Sequence, residues 1–267
     1  MKPASRFLFA MAVVISLCWL VPVALIALSA LGPREAATAW PKAWWPSPYS
    51  LETLQFFVGF TGVWQAVLNS VIVALLTMVM SVLLGAPAGY ALARFDFKGQ
   101  DLYRVLVVMT RAFPLAILAL PLVTRFMAVG LYDTHLGVAL VHTALSLPFA
   151  ILVSSSLFMA IPRELEEAAW TLGCNRLQGF LRIVAPLALP GLAAAMVFSF
   201  VVSWNEVFAA SVLTLKQRTL TAYLFASLEE SPLHFRFAGG FFLVLPSIVF
   251  IFAVRKYLFS MWGIAHR

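Results

Sequence analysis

Two ionisable side chains stand inside long apolar stretches. Glu206 lies in "SWNEVF", directly after Trp204 and Asn205, and Arg111 lies in "MTRAFP". A charge at the centre of a bilayer costs about 2.5–3.5 kcal/mol on insertion scales, so such residues face a protein interior or a water-filled path. The chemistry open to this set is recognition rather than bond-making. Asn205 and Glu206 can hydrogen-bond hydroxyl groups, and the Trp204 indole can stack on a pyranose face. The same residues also suit an interhelical polar clamp or a site near the outer mouth. Three readings fit Arg111. It lies about one to two helical turns beyond Arg104 and can snorkel to the interface. It can pair with Glu206. It can also line a path for an anionic solute such as a phosphorylated, sulfonated or acidic sugar.

A second group is different in kind. "ELEEAAWTLGCNRLQGFLRIVAPLALP", Glu164 to Pro190, carries Glu164, Glu166, Glu167, Arg176 and Arg182 between two apolar blocks. Other reactive constellations are missing. The sequence has no G-x-x-x-x-G-K-[ST] phosphate loop, so ATP binding by this chain is not expected. His135, His142, His234 and His266 are scattered, and each reads as structural or solvated. Cys18 and Cys174 make no metal-ligand spacing, so no metal and no catalytic residues are assigned.

The elements that must position these residues follow from composition. Hydrophobic residues make up 63% of the 267 residues, charged residues 11%, and mean hydropathy is +0.96. Soluble domains carry about 25% charged residues, so this is a polytopic membrane protein. The net charge of +7 then reflects basic loops at a membrane surface rather than nucleic-acid binding. Apolar windows long enough to cross a bilayer predict six spans, at about 7–31, 69–93, 105–124, 136–161, 187–213 and 237–254. The length of the first argues for a retained anchor rather than a cleaved signal peptide. With the N-terminus inside, inner segments hold Lys2, Arg6, Arg94, Lys98, Arg104, Arg163, Arg176, Arg182, Arg255, Lys256 and Arg267. Outer segments hold only Arg34, Lys42, Arg125, Lys216, Arg218 and Arg236. The positive excess puts both termini, and the charged stretch at 162–186, in the cytoplasm. No internal repeat or soluble domain is visible, so residues 1–267 form a single transmembrane domain. The outer "WPKAWWPSPYS" suits an interfacial anchor, a docking surface for an external partner, or both.

Local rules shape the charged stretch. Pro162 opens a helix, and Glu164, Glu166 and Glu167 suit the positive end of its dipole. Gly173 is placed for a left-handed stop. Leu177, Phe180, Leu181 and Val184 predict one buried face on a second short helix, which Pro186 should end before the next span. Ala168 and Ala169 permit close approach by another protein.

Glu167-Ala168-Ala169, three residues, Gly173, nine residues, Ile183, two residues, Pro186 resembles the "EAA" loop of ABC-importer permeases. Ala185 departs from that pattern, standing where the family has leucine. "LNSVIVALLTMVMSVLLGAPAGYALARFDFKG", "VGLYDTHLGVAL" and "WNEVFAASVLT" are similar to further segments of the carbohydrate-type permeases, so the resemblance covers nearly the whole chain. It implies an all-α polytopic membrane protein with six transmembrane helices and a type I ABC-importer permease core, similar to the smaller permease of a pair. It implies a chain that is not itself an enzyme, in the bacterial cytoplasmic (inner) membrane. The implied partners are a second homologous permease, two ATP-binding subunits, an extracytoplasmic solute-binding protein and membrane lipid. ATP and Mg would be bound by the ATPase subunits. Glu166, Glu167, Ala168, Ala169, Gly173, Ile183 and Pro186 would couple to those subunits. Trp204, Asn205, Glu206 and Arg111 would belong to the path of a sugar, polyol or glycoside. The competing class is a secondary transporter driven by an ion gradient, which predicts repeated broken spans with midplane acids. The basic, aromatic tail "RKYLFSMWGIAHR" suits the membrane surface or a reach toward the ATPases.

Overall fold

The structure, a computed structural model, describes residues 3–41, 45 and 47–261, with side chains undescribed for 3–6, 250, 251 and 253–261. Helices account for the regular structure, with no strand among the described residues: α1 (Pro3–Ala30), α2 (Glu52–Gly59), α3 (Val63–Arg94), α4 (Gln100–Met109), α5 (Leu115–Ala128), α6 (His135–Ala160), α7 (Glu164–Thr171), α8 (Arg176–Gly179), α9 (Ala185–Asn205), α10 (Phe208–Leu213), α11 (Leu220–Ala226) and α12 (Leu233–Met261). Four segments are long and apolar enough to cross a membrane, namely Phe7–Ala30, Val63–Arg94, His135–Ala160 and Arg176–Asn205. Gln100–Ala112 and Leu115–Ala128 are apolar enough only as a pair, bent by 85°, in the form of a broken span or a re-entrant loop, and α12 opens with the apolar Leu233–Val249. Pro22, Pro87, Pro121, Pro148, Pro190 and Pro246 all lie inside helices. Membrane-spanning helices tolerate this because neighbouring groups satisfy the freed carbonyls.

The chain separates into two compact units, residues up to Gln65 with Leu224–Pro246, and Ala66–Tyr223 with the residues from Ser247 onward. In the first unit α1 is apolar, exposed from Phe7 to Pro22 as a lipid-facing helix is, and progressively buried toward Ala30. The buried Thr53 hydroxyl donates to the Gly32 carbonyl at 2.8 Å, and Phe57 packs on Phe235 and Phe242 with centroids 4.9 and 5.1 Å apart. Arg34 pairs with Glu52 at 3.1 Å and lies over the Phe56 ring. Of the tryptophan-rich loop, Trp40 and Trp45 are exposed and Trp45 meets Tyr49 edge-on. Residues 42–44 and 46 of that loop, like the tail from 262 on, lie outside the described residues.

In the second unit α3 and α6 meet through small residues. A Cβ added at Gly85 would lie 2.8 Å from Ala150 Cβ, and one at Gly89 would lie 2.6 Å from Ser154 Cβ. Such close approach is how membrane helices gain dispersion contact without a hydrophobic driving force. Ser81 and Ser146 add a buried hydrogen bond of 2.6 Å across the same pair. Two apolar clusters flank this seam. One joins Val73, Val138, Val141, Ala210 and Leu213; the other joins Val82, Phe158, Val184, Ala188 and Leu192.

Two expected spans are broken. The stretch 105–124 is an elbow, because Pro114 offers no N–H and drives Phe113 out of the helical region to φ −74°, ψ 120°. The stretch 187–213 breaks at Glu206, which adopts φ −74°, ψ 127° between α9 and α10. Conversely, the break expected at Pro186 is absent. The chain passes from α8 into α9 through one wide turn, Phe180–Val184, in which the Ala185 N–H reaches back to the Phe180 carbonyl. Pro186 follows this wide turn as the second residue of α9, where its missing N–H costs little.

Candidate functional site

The charged stretch folds as helix, turn, helix. The Gly173 N–H donates to the Trp170 carbonyl and the Cys174 N–H to the Ala169 carbonyl, with Gly173 at φ +92°, so α7 ends in a left-handed glycine turn. Asn175 then caps α8 reciprocally with Gln178, at 2.8 and 3.0 Å. Arg176 lies 5.2 Å from the centre of the Trp170 ring across the turn.

The three acids of α7 have different surroundings. Glu164 and Glu167 are exposed, whereas Glu166 is 2% exposed. Its carboxylate forms an ion pair with Arg94 and accepts a 2.6 Å hydrogen bond from the Tyr90 hydroxyl. Arg94 also donates to the Ile161 carbonyl at 2.9 Å, and Arg163 donates to the Ala93 carbonyl at 3.3 Å. The Tyr90 ring meets Phe158 and Phe180 edge-on, with centroids 5.5 and 4.7 Å apart. Ala169 is buried, while Ala168 faces outward with Glu167, Thr171 and Leu172. The buried face expected on α8 is only half present. Phe180 and Val184 enter the core cluster, but Leu177 and Leu181 are 65% and 56% exposed. With Leu172 at 85%, they form an apolar outer surface on a loop that is otherwise charged. Ile183 and Ala185 are half-buried and Pro186 is exposed. A recess of about 200 Å³ is lined by Arg94, Glu166, Glu167, Trp170 and Arg176 among others.

The residues drawn from "SWNEVF" are not gathered into one exposed set. Trp204 is 2% exposed and stacked near-parallel on Phe200, so its face is not offered to a solute here. Glu206 is held by its own chain. Its carboxylate accepts from the Ala209 and Ala210 N–H groups at 3.0 and 3.1 Å, capping α10, and lies 3.0 Å from His142 Nε2. Asn205 is exposed, donating to the Val201 carbonyl at 2.9 Å and lying 3.5 Å from Ser247 Oγ. Arg111 sits at the elbow, exposed. It has no hydrogen bond or ion pair among the described residues, and its pairing with Glu206 is replaced by the His142 contact. Next to it, an apolar recess of about 400 Å³ is lined by Thr110, Phe113, Leu118, Phe126 and Leu145 among others.

Sequence reasoning passed over Tyr90, Arg94, His142, Ser203 and Asp133. Tyr90 and Arg94 stand four apart on one face of the last turns of α3, which was a usable signal. His142, expected to be structural or solvated, is structural and fully buried, and what went unread is its pairing with Ser203 and Glu206. Asp133 accepts N–H bonds from Leu215, Lys216 and Gln217 at 2.8–2.9 Å and holds φ 56°. Burial pushes its pKa up, but these backbone donors outweigh that and leave it below the ordinary aspartate value.

Residues 81–260 match the family described as "Binding-protein-dependent transport system inner membrane component". The chain belongs to this family. It is therefore a permease subunit of an ABC importer, a transport component in a bacterial inner membrane, and the matched region contains the charged loop. Among curated relatives, it is 35% identical over 198 residues to the trehalose transport system permease protein SugB of Mycobacterium tuberculosis, covering 72% of each chain. It is 30% identical over 255 residues to a probable ABC transporter permease protein, YurM, of Bacillus subtilis, covering 94% of this chain and 82% of that one. The sulfoquinovosyl glycerol permease SmoH of Agrobacterium fabrum is 33% identical, over 70% of this chain and 66% of its own. Among solved structures, a chain of a bacterial ABC transporter involved in import of the acidic polysaccharide alginate superposes with a TM-score of 0.74, covering 96% of this chain and 98% of that one. At 20% identity that likeness speaks to the permease fold alone. Family membership also decides against the ion-gradient-driven carrier.

Proposed function

We propose that this permease moves a sugar, polyol or glycoside by alternating access, driven by ATPase subunits that grip α7 and α8. The observation that carries the coupling reading is the two-faced loop. Glu166 and Ala169 are turned into the protein, while Glu167, Ala168, Leu172, Leu177 and Leu181 are turned out. Three leucines this exposed on one short charged loop suit a protein groove. The solute class rests on relatives named for trehalose and sulfoquinovosyl glycerol. A solute-binding protein delivers to the outer face, a second permease completes the path, and the ATPase subunits bind ATP and Mg. The lysine and arginine bias supports cytoplasmic termini. An anionic member of the solute class would give the exposed Arg111 a partner, and snorkelling to the interface is the competing role.

The test is reconstitution in liposomes with the cognate ATPase subunits and binding protein. Glu167→Lys combined with Gly173→Pro should abolish solute-stimulated ATP hydrolysis; activity that survives both changes counts against coupling here. Arg111→Gln should impair uptake of acidic glycosides more than neutral ones, and equal loss for both removes the anionic reading.

A further inference from the structure

The charged loop joins the membrane helices by two unlike links. On one side α8 runs through the π-type turn into α9 without a break, so that link is a continuous helix. On the other side α7 is cut off from α6 by Ile161 in extended geometry, followed by Pro162 and Arg163. A turn of that kind transmits no rigid-body displacement by itself.

Side chains bridge this gap. The Arg94 and Glu166 side chains are 7% and 3% exposed, and each has two anchor points. Arg94 uses Nε on Glu166 and a terminal nitrogen on the Ile161 carbonyl, while Glu166 gives one oxygen to Arg94 and the other to Tyr90. The guanidinium is a planar fork and the carboxylate accepts in fixed directions, so doubly anchored partners hold register as well as distance. Apolar packing is non-directional and would let α7 slide on α3. Burial removes the solvent screening that makes exposed ion pairs weak and mobile.

We infer that Arg94, Glu166 and Tyr90 are positioning residues for transport: they lock α7 to the inner end of α3, so that displacement of α7 is delivered to α3 as well as to α9. The inference rests on the coupling reading above.

The experiment uses the assembled importer in liposomes and measures ATP hydrolysis and solute uptake separately. Leu172→Cys, placed on the exposed surface, reports docking by cross-linking to an ATPase subunit. The lock is cut with Arg94→Gln/Glu166→Gln, which removes both charges together and strands neither, and with Tyr90→Phe, which keeps the ring and removes one hydrogen bond. The double variant should cross-link like the parent and still hydrolyse ATP. Its uptake per ATP should fall by about fivefold or more, the lower end of ordinary coupling effects, with Tyr90→Phe in between. Intact cross-linking with an unchanged uptake-to-ATP ratio in both variants overturns the lock. If the double variant does not assemble, Tyr90→Phe decides on the same ratio. Absence of the cross-link in the otherwise native chain overturns the docking reading, and the lock falls with it.

Discussion

His142 Nε2 lies 3.0 Å from the Glu206 carboxylate, while Nδ1 of the same buried ring lies 2.8 Å from Ser203 Oγ. The partners suit one tautomer, with Nε2–H donating to Glu206 and Nδ1 accepting from the Ser203 hydroxyl. Glu206 thus holds three donors from two helices. It closes the break between α9 and α10, and the Thr221 hydroxyl donates to its own carbonyl at 2.8 Å. A carboxylate so engaged is a structural clamp before it is a solute ligand.

That ordering can be tested. Glu206→Ala strands buried donors, and each costs about 1–3 kcal/mol. The purified importer should therefore melt at a clearly lower temperature with Glu206→Ala than with Glu206→Gln, which retains an acceptor. Should Glu206→Gln abolish uptake while leaving melting unchanged, the carboxylate belongs to the solute path and the clamp account fails.

Asp133 gives a pH prediction. Its folded pKa is depressed, so its contribution is present above the unfolded value of about 3.9 and fades as pH falls through the lower folded value. What it stabilises is the segment Leu215–Gln217, tied to Asp133 by three N–H bonds. Protection of those amides against hydrogen exchange should hold at pH 5–7, in the usual range for carboxylate-stabilised structure, and drop below about pH 4. In Asp133→Asn, which keeps an acceptor oxygen and tolerates positive φ, protection should be lower throughout and flat with pH. A parallel acid loss in both chains would place the titrating group elsewhere.

The α3–α6 seam predicts intolerance of one methyl group. At Gly89 a Cβ would sit 2.7 Å from the Ser155 backbone nitrogen, which cannot swing away. Overpacking of that kind costs about 1–3 kcal/mol. Gly89→Ala should lower the yield and melting temperature of the importer, whereas Gly59→Ala, with nothing within 4 Å, should be neutral. Equal effects at both positions would mean that the seam opens freely.

The legibility of this chain divides by the range of the interaction. Helix content and the several spans were readable because apolar length is a local property. The Gly173 stop was readable because a left-handed residue is a local demand. The elbow at Phe113–Pro114 was missed although Pro114 was in plain view. Apolar length alone cannot distinguish a straight span from a bent one, and Pro121, Pro148 and Pro190 sit in helices undisturbed. Pro186 misled in the opposite direction, since it follows the π-type turn as the second residue of α9, where its missing N–H costs little. The polar pairings were least legible: Arg94–Glu166 spans 72 positions and His142–Glu206 spans 64. Among the members of the two pairs, only Glu206 reads from the sequence as an intramembrane charge, and nothing local to His142 points to it.

Gly173 carries the last prediction. At φ +92° its backbone is in the left-handed region, yet the space around the missing Cβ is open. Substitution is therefore opposed by backbone conformation and not by packing. An L-residue there costs about 1–2 kcal/mol, with asparagine at the low end and β-branched residues worst. ATP-driven uptake should consequently decline in the order Gly, Asn, Ala, Val at this position. Cross-linking from Leu172→Cys to the ATPase subunit should weaken in step, because the turn sets the angle at which Leu172 and Leu177 are presented together. An order that follows side-chain volume instead, with Asn worse than Ala, would show that the groove contacts residue 173 directly and that the left-handed turn is incidental.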